Sequence, residues 1–184
     1  MQIFDTLSNL PPLKNIALTI GTFDALHLGH QHLFQTLKMY GTPAVLTFSN
    51  HPLEILNPSL APSPILTPKE KIELFQTFGI ELAIILPFTK ILSQTPYDTF
   101  IKDLHTALPF SFLVLGEDAR LGAQAAGTPG KIQSLSKIIG FEAVFIPKLK
   151  IEEKTISSSQ IRTFIQKTQI TQARQWLGHS KGIN

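Results

Sequence analysis

The chain has 184 residues, 43% hydrophobic and 16% charged, enough for one well-buried domain and too few for two large ones. Its formal net charge is only +3, and it has no cysteine, which excludes disulfides and cysteine-ligated zinc or iron–sulfur sites. The longest apolar stretch, Leu82 to Phe88, contains Pro87 and is too short to span a bilayer, and the amino terminus lacks a basic region followed by an apolar core, so a soluble, cytoplasmic protein is expected.

In chain order, Ile16 to Ile20 reads as a buried strand, being short, β-branched and closed by Gly21. Leu28 to Met39 has helical spacing, with Leu33, Phe34 and Leu37 on one face. Ala44 to Phe48 is a second strand, and the Pro- and Ser-rich segment Asn57 to Thr67 a surface loop. Thr67-Pro68 opens a helix with Glu70 placed to close a capping box, and that helix ends near Gly79. Leu82 to Leu86, Phe112 to Leu115 and Phe141 to Ile146 are further strands; Pro96 to Ala107 is a helix, and the glycine-rich segment Gly116 to Gly130 precedes a short one. Serines 157 to 159 begin a helix reaching about Lys167, and Thr171 to Leu177 is the last, with Trp176 as its packing residue. Strands alternating with helices predict an α/β fold, a doubly wound parallel sheet in a single domain over 1–184, with 168–184 a carboxy-terminal helix and linker. Such sheets bind ligands beyond the carboxyl ends of their strands.

The special polar residues fall there. Gly21 to His30 (GTFDALHLGH) follows the first strand, Asn50 and His51 the second, and Gly116-Glu117-Asp118 the fourth. A helix amino terminus offers unpaired N–H groups to phosphate, and Gly29 has no side chain to keep an anion from the backbone. His27 and His30, three apart, can face one point and donate hydrogen bonds to phosphate oxygens. A zinc pair is the rival reading, without an obvious third ligand; no metal-ligating residues are assigned. Ser157 and Gln160 have capping-box spacing, and Arg162, projecting from the same helix, can reach a leaving pyrophosphate. Gly122 to Lys131 lacks the Gly-Lys-Ser/Thr of a phosphate-binding P-loop, and no Gly-x-Ser-x-Gly elbow supports hydrolase chemistry. Seven of the 16 Lys and Arg residues lie from Lys148 onward, beside only Glu152 and Glu153. That basic tail reads as a solvated surface, and no nucleic-acid partner is expected.

GTFDALHLGHQHLF, TFSNHP (Thr47 to Pro52), LGEDARLGAQAAG (Leu115 to Gly127) and ISSSQIR (Ile156 to Arg162) occur in the order and rough spacing of the bacterial bifunctional riboflavin kinase/FAD synthetase family. The chain resembles its amino-terminal FMN adenylyltransferase module, a member of the HxGH nucleotidyltransferase superfamily with a Rossmann-like fold. The resemblance implies that ATP, carrying Mg2+, lies over the histidines and that the phosphate of FMN attacks the α-phosphorus to give FAD and pyrophosphate. It further implies that His27, His30 and Arg162 are catalytic. Gly21, Thr22, Phe23, Asp24, Gly29, Asn50, His51, Gly116, Glu117, Asp118, Ser157, Ser158 and Ser159 are implied to bind the nucleotides. The riboflavin kinase module falls outside these residues, and no riboflavin kinase activity is expected of them.

Four residues depart from the family pattern. Ala25 replaces a glycine and would crowd the turn at positive φ; Asn50 replaces a proline; Ala119 and Leu121 replace two aromatics on the flavin side, leaving stacking weaker or supplied by another surface. Another phosphate-bearing acceptor, such as pantetheine phosphate or nicotinamide mononucleotide, and a catalytically weak flavin- or nucleotide-binding protein stay open at this point. Oligomeric state is open too.

Overall fold

The structure, a computed structural model, describes residues 1–151 and 153–183; Glu152, part of the carboxy-terminal charge count, and Asn184 lie outside the described residues. From the amino terminus run β1 (Gln2–Phe4), β2 (Ile16–Ile20), α1 (Leu28–Tyr40), β3 (Thr42–Phe48), α2 (Pro52–Leu56), α3 (Pro68–Thr77) and β4 (Leu82–Leu86). Then follow α4 (Lys90–Gln94), α5 (Tyr97–Ala107), β5 (Phe110–Gly116), α6 (Pro129–Ile139) and β6 (Glu142–Ile146). A small antiparallel hairpin of β7 (Lys150–Ile151) and β8 (Lys154–Thr155) leads to α7 (Ser158–Gln166) and α8 (Ile170–Leu177).

Six strands form one parallel sheet in the order β1-β4-β3-β2-β5-β6. Both faces are covered, which is why the strands read as apolar runs rather than alternating ones. Ala17, Val45, Ala83 and Val114 face a core built with Phe34 of α1, Phe75 of α3, Ile161 of α7 and Trp176 of α8. Leu18, Leu46, Ile84 and Leu113 face the other, against Ile101 of α5 and Ile132 of α6. The chain walks outward from β2 through β3 to β4, then returns to β5 on the opposite side of β2. The switch point therefore lies between β2 and β5, where an open α/β sheet leaves its ligand crevice.

The sequence signals carry through to local geometry. Thr67 and Glu70 close their capping box at the start of α3, with Pro68 in the first turn. Ser157 caps α7 by accepting from the Gln160 N–H, but among the described residues the return bond from the Gln160 side chain is not made, so the predicted box is only half formed. Trp176 is buried, edge-on to Phe164 at 5.0 Å, as a packing residue should be. Elements beyond the sequence expectation are all short: β1 at the sheet edge, α2, α4 and the hairpin span two to five residues each, and a single 3-10 turn (Pro58–Leu60) interrupts the predicted loop. At those lengths no hydrophobic period develops.

Candidate active site

β2 delivers the chain into a turn with two strained residues, Phe23 (φ +47) and Leu26 (φ +45). Left-handed backbone at such side chains costs on the order of 1–3 kcal/mol each. Packing holds it: Phe23 is buried against Phe34, Phe75 and His30, at ring-centroid distances of 5.2, 5.9 and 5.2 Å. Ala25 is not among the positive-φ residues and is fully buried, so its methyl does not crowd the turn.

His27 is the N-cap of α1, its Nδ1 accepting from the His30 N–H at 3.3 Å. That bond leaves the ring proton on Nε2. The two imidazoles stack, with centroids 3.8 Å apart and planes 11° from parallel. Burial lowers the His27 pKa to about 4. Burial, with His27 and Lys71 close by, holds His30 well below the ordinary histidine value. At neutral pH the pair is uncharged and offers N–H dipoles rather than imidazolium charge. Gly29 has a packing role as well. A Cβ there would lie 3.1 Å from His27 Cε1, so the space over Gly29 is filled by the imidazole itself.

Asp24 and Arg162 meet as an ion pair, and Arg162 Nε also donates to the Ser63 carbonyl at 3.1 Å. Opposite them, His51 caps α2 within a closed capping box with Glu54. Its pKa is lowered, mainly by burial, with Asp24, Arg162, Glu54 and Lys71 all close enough to act on it. The Asn50 amide is committed to the loop after β4: Nδ2 donates to the Phe88 carbonyl (3.2 Å) and Oδ1 accepts the Phe88 N–H (2.8 Å).

Two clefts open here. The smaller, about 160 Å³, is lined by Thr22, Asp24, Asn50, His51 and Lys71. The larger, about 530 Å³, is walled by Phe48, Phe88, Phe100, Ala119 and Leu121, with Gly21 at its floor. Thr22 and Phe48 belong to both. The glycine-rich segment folds over the larger cleft through a Leu121–Gly127 bridge; Gly122, at φ +71, lies where a Cβ would strike the Tyr97 backbone at 2.3 Å. A further depression of about 460 Å³, at the amino-terminal ends of β5 and β6, holds none of the predicted site residues.

Not every predicted residue comes to these clefts: Phe23, His27, Gly29, His30 and Arg162 line neither, and Arg162 is tied to the smaller one only through Asp24. Gly116, Glu117 and Asp118 line neither; Glu117 accepts from the Lys148 N–H (3.1 Å) and Asp118 pairs with the Lys148 ammonium (2.6 Å). Ser157, Ser158 and Ser159 form the start of α7, which carries Arg162, and also line neither cleft. Among the described residues no group of three or more His, Asp or Glu could hold a metal ion, and no helix is long and apolar enough to cross a membrane.

Sequence reasoning missed Lys71 and the tail. Lys71 donates to the Thr22 carbonyl at 2.9 Å. Its signal was present: it shares an i, i+3, i+4 stripe of α3 with the buried Leu74 and Phe75, where a charge is out of place. Residues 177–183 fold back on the HxGH turn. Gln31 donates to both Leu26 and Leu177 carbonyls (3.0 and 2.7 Å), His179 Nε2 lies 2.9 Å from the Ala25 carbonyl, and Lys181 pairs with Glu73.

The sequence model of the FAD synthetase family matches residues 11–160. The chain belongs to that family. Arg162 lies just beyond the matched span. A bifunctional riboflavin kinase/FMN adenylyltransferase of Buchnera aphidicola subsp. Schizaphis graminum is 30% identical over 100% of the chain, which spans 62% of that relative's length. The FAD synthetase of Listeria monocytogenes is 31% identical over 95% of the chain and 73% of its own length. Among solved structures, one described as a macrolide-efflux protein from Streptococcus pneumoniae superposes with a TM-score of 0.85 at 24% identity, over 96% of this chain and 60% of that one, a likeness of fold. The sheet and its flanking helices are thus those expected of an FAD synthetase domain.

Proposed function

We propose that the chain is an FMN adenylyltransferase. It transfers the adenylyl group of ATP to FMN: a phosphate oxygen of FMN bonds to the α-phosphorus, the bond to the β-phosphate breaks, and FAD and pyrophosphate leave. Mg2+ arrives with ATP as part of the substrate. A cytoplasmic setting goes with this reading, as do small-molecule partners only.

The observation that carries it is the meeting of two clefts at Thr22 and Phe48, with Lys71 of the smaller one within electrostatic reach of His30. The smaller cleft offers Ser49, His51 and Lys71 to phosphate between apolar walls, and the larger, aromatic one suits a flat heterocycle; their junction suits attack of one phosphate on another. Such a transfer depends on positioning and charge stabilisation rather than on a covalent intermediate. In this reading the neutral histidines donate N–H bonds to the α-phosphate, and Arg162 exchanges Asp24 for the departing pyrophosphate. The rings of Phe48, Phe88 and Phe100 support a flavin acceptor although Ala119 and Leu121 contribute no aromatic surface.

The purified chain is incubated with Mg-ATP and FMN, and FAD is followed by chromatography with His30→Ala as control. FAD made by the wild type and lost in the variant is the expected result. A folded chain that binds ATP but makes no FAD, and adenylylates pantetheine phosphate or nicotinamide mononucleotide instead, overturns the acceptor; binding of flavin with no turnover of any acceptor overturns the enzyme.

A further inference from the structure

Lys71 is half-buried, and its ammonium donates to a neutral partner, the Thr22 carbonyl, which already accepts from Thr47 Oγ1 at 3.1 Å. No carboxylate among the described residues comes within ion-pair distance of it. The two acids lining the same cleft are committed elsewhere: Asp24 to Arg162, and Glu54 to the His51 N–H at 2.8 Å. Lys71 is the only cationic side chain lining that cleft among the described residues. Holding a half-buried ammonium without an ion-pair partner is costly: burial lowers its pKa, and the charge of Asp24, itself paired with Arg162, offsets this only in part. Such a group suits a site whose anion arrives with a ligand.

Its position says which anion. Lys71 lines the smaller cleft and is held by the carbonyl of Thr22, which lines both, and it lies within electrostatic reach of His30. Attack of one phosphate on another brings like charges together, and a full positive charge between them offsets that repulsion where water is excluded. The neutral histidines supply none, and Arg162 is balanced by Asp24.

We propose that Lys71 is a substrate-binding residue that holds the phosphate of FMN at the junction of the clefts, exchanging the Thr22 carbonyl for a phosphate oxygen as the acceptor enters. This assignment rests on the FMN adenylyltransferase reading.

The test compares FMN with riboflavin, which lacks the phosphate, as ligands of the full chain, followed by flavin fluorescence. Wild type, Lys71→Gln and Lys71→Arg are titrated; Gln keeps a donor for the Thr22 carbonyl but no charge. Lys71→Gln is expected to cut the preference for FMN over riboflavin by roughly 10- to 100-fold, the worth of a charge-assisted hydrogen bond. Riboflavin affinity and the KM for ATP stay unchanged, and Lys71→Arg restores part of the preference. An unchanged preference in Lys71→Gln overturns the assignment. So does an equal loss of FMN and riboflavin, which would make Lys71 a brace for Thr22 alone, or a loss seen only in the KM for ATP. Arg120, an exposed cation of the larger cleft, is the competitor: if Arg120→Gln removes the preference and Lys71→Gln does not, Lys71 is not the phosphate ligand. A wild type that binds riboflavin as tightly as FMN overturns the acceptor reading itself, and this assignment with it.

Discussion

Asp24 and Arg162, 138 positions apart in the chain, form an ion pair whose side chains are only 10% and 16% exposed. Arg162→Ala leaves a desolvated carboxylate unpaired, at a cost of about 3–5 kcal/mol. Turnover should also fall by roughly 100-fold or more if Arg162 neutralises pyrophosphate. Adding Asp24→Asn separates the two effects. The double variant is expected to recover most of the lost Tm in thermal denaturation and none of the lost rate. Rate returning together with Tm would reduce Arg162 to a structural tie.

The stacked histidines make stability pH-dependent. The unfolded chain takes up its histidine protons near 6.5, whereas folded His27 does so only near 4. Below 6.5 the unfolded state therefore binds more protons, and stability falls as pH drops. The contribution is complete above 6.5 and is lost as pH falls toward 4, on the order of 3 kcal/mol from His27. Denaturant titrations across that range should show the decline, flatter in His27→Gln, which keeps an acceptor for the helix cap. Identical profiles for the two proteins would mean that His27 titrates normally.

Gly29→Ala sets helix propensity against site geometry. Alanine is the better helix former by up to about 1 kcal/mol. Its methyl, however, would press on His27 Cε1 at 3.1 Å and tilt that ring from His30. Tm is expected to hold or rise slightly while FAD formation drops at least roughly 10-fold, in line with the cost of misplacing catalytic groups. Full activity in this variant would show that the parallel stack is dispensable.

Phe48 and Phe88 meet edge to face, with centroids 5.1 Å apart, in the wall of the larger cleft. With Ala119 and Leu121 offering no ring, stacking on a flavin falls to them. Phe88→Ala should weaken FMN binding about 10-fold or more, by fluorescence quenching, and leave the KM for ATP alone. Ala119→Phe should strengthen it. Unaltered FMN affinity in Phe88→Ala would send the isoalloxazine to another surface.

Much of this was readable in one dimension because it is local. β2 announces itself by four apolar residues and a threonine, β-branched at three of five positions and closed by Gly21, and Thr67-Pro68-x-Glu70 by helix-start chemistry. His27, His30 and Gly29 stand out within one turn of sequence. What escaped depends on partners far along the chain. Nothing near Asp24 marks its pairing with Arg162, nothing near Asn50 its grip on Phe88, and the neutrality of the histidines follows from burial that only the assembled core creates. Lys71 was visible as a charge on an apolar stripe, yet its meaning came from Thr22, 49 positions earlier.

The bond from Gln31 to the Leu177 carbonyl, 146 positions away, bears on the order in which the molecule is finished. The turn that carries the HxGH residues is strained at Phe23 and Leu26 and is braced by residues made about 150 positions later. At roughly 5–20 residues per second the turn waits about 7–30 s for that brace. A chain ending at residue 168 is expected to show fast amide exchange through Gly21–His27 while the first strands are already protected, and slow exchange there would refute the delay. The turn and the residues that brace it are thus made far apart in time, and its strained geometry is set only once both are present.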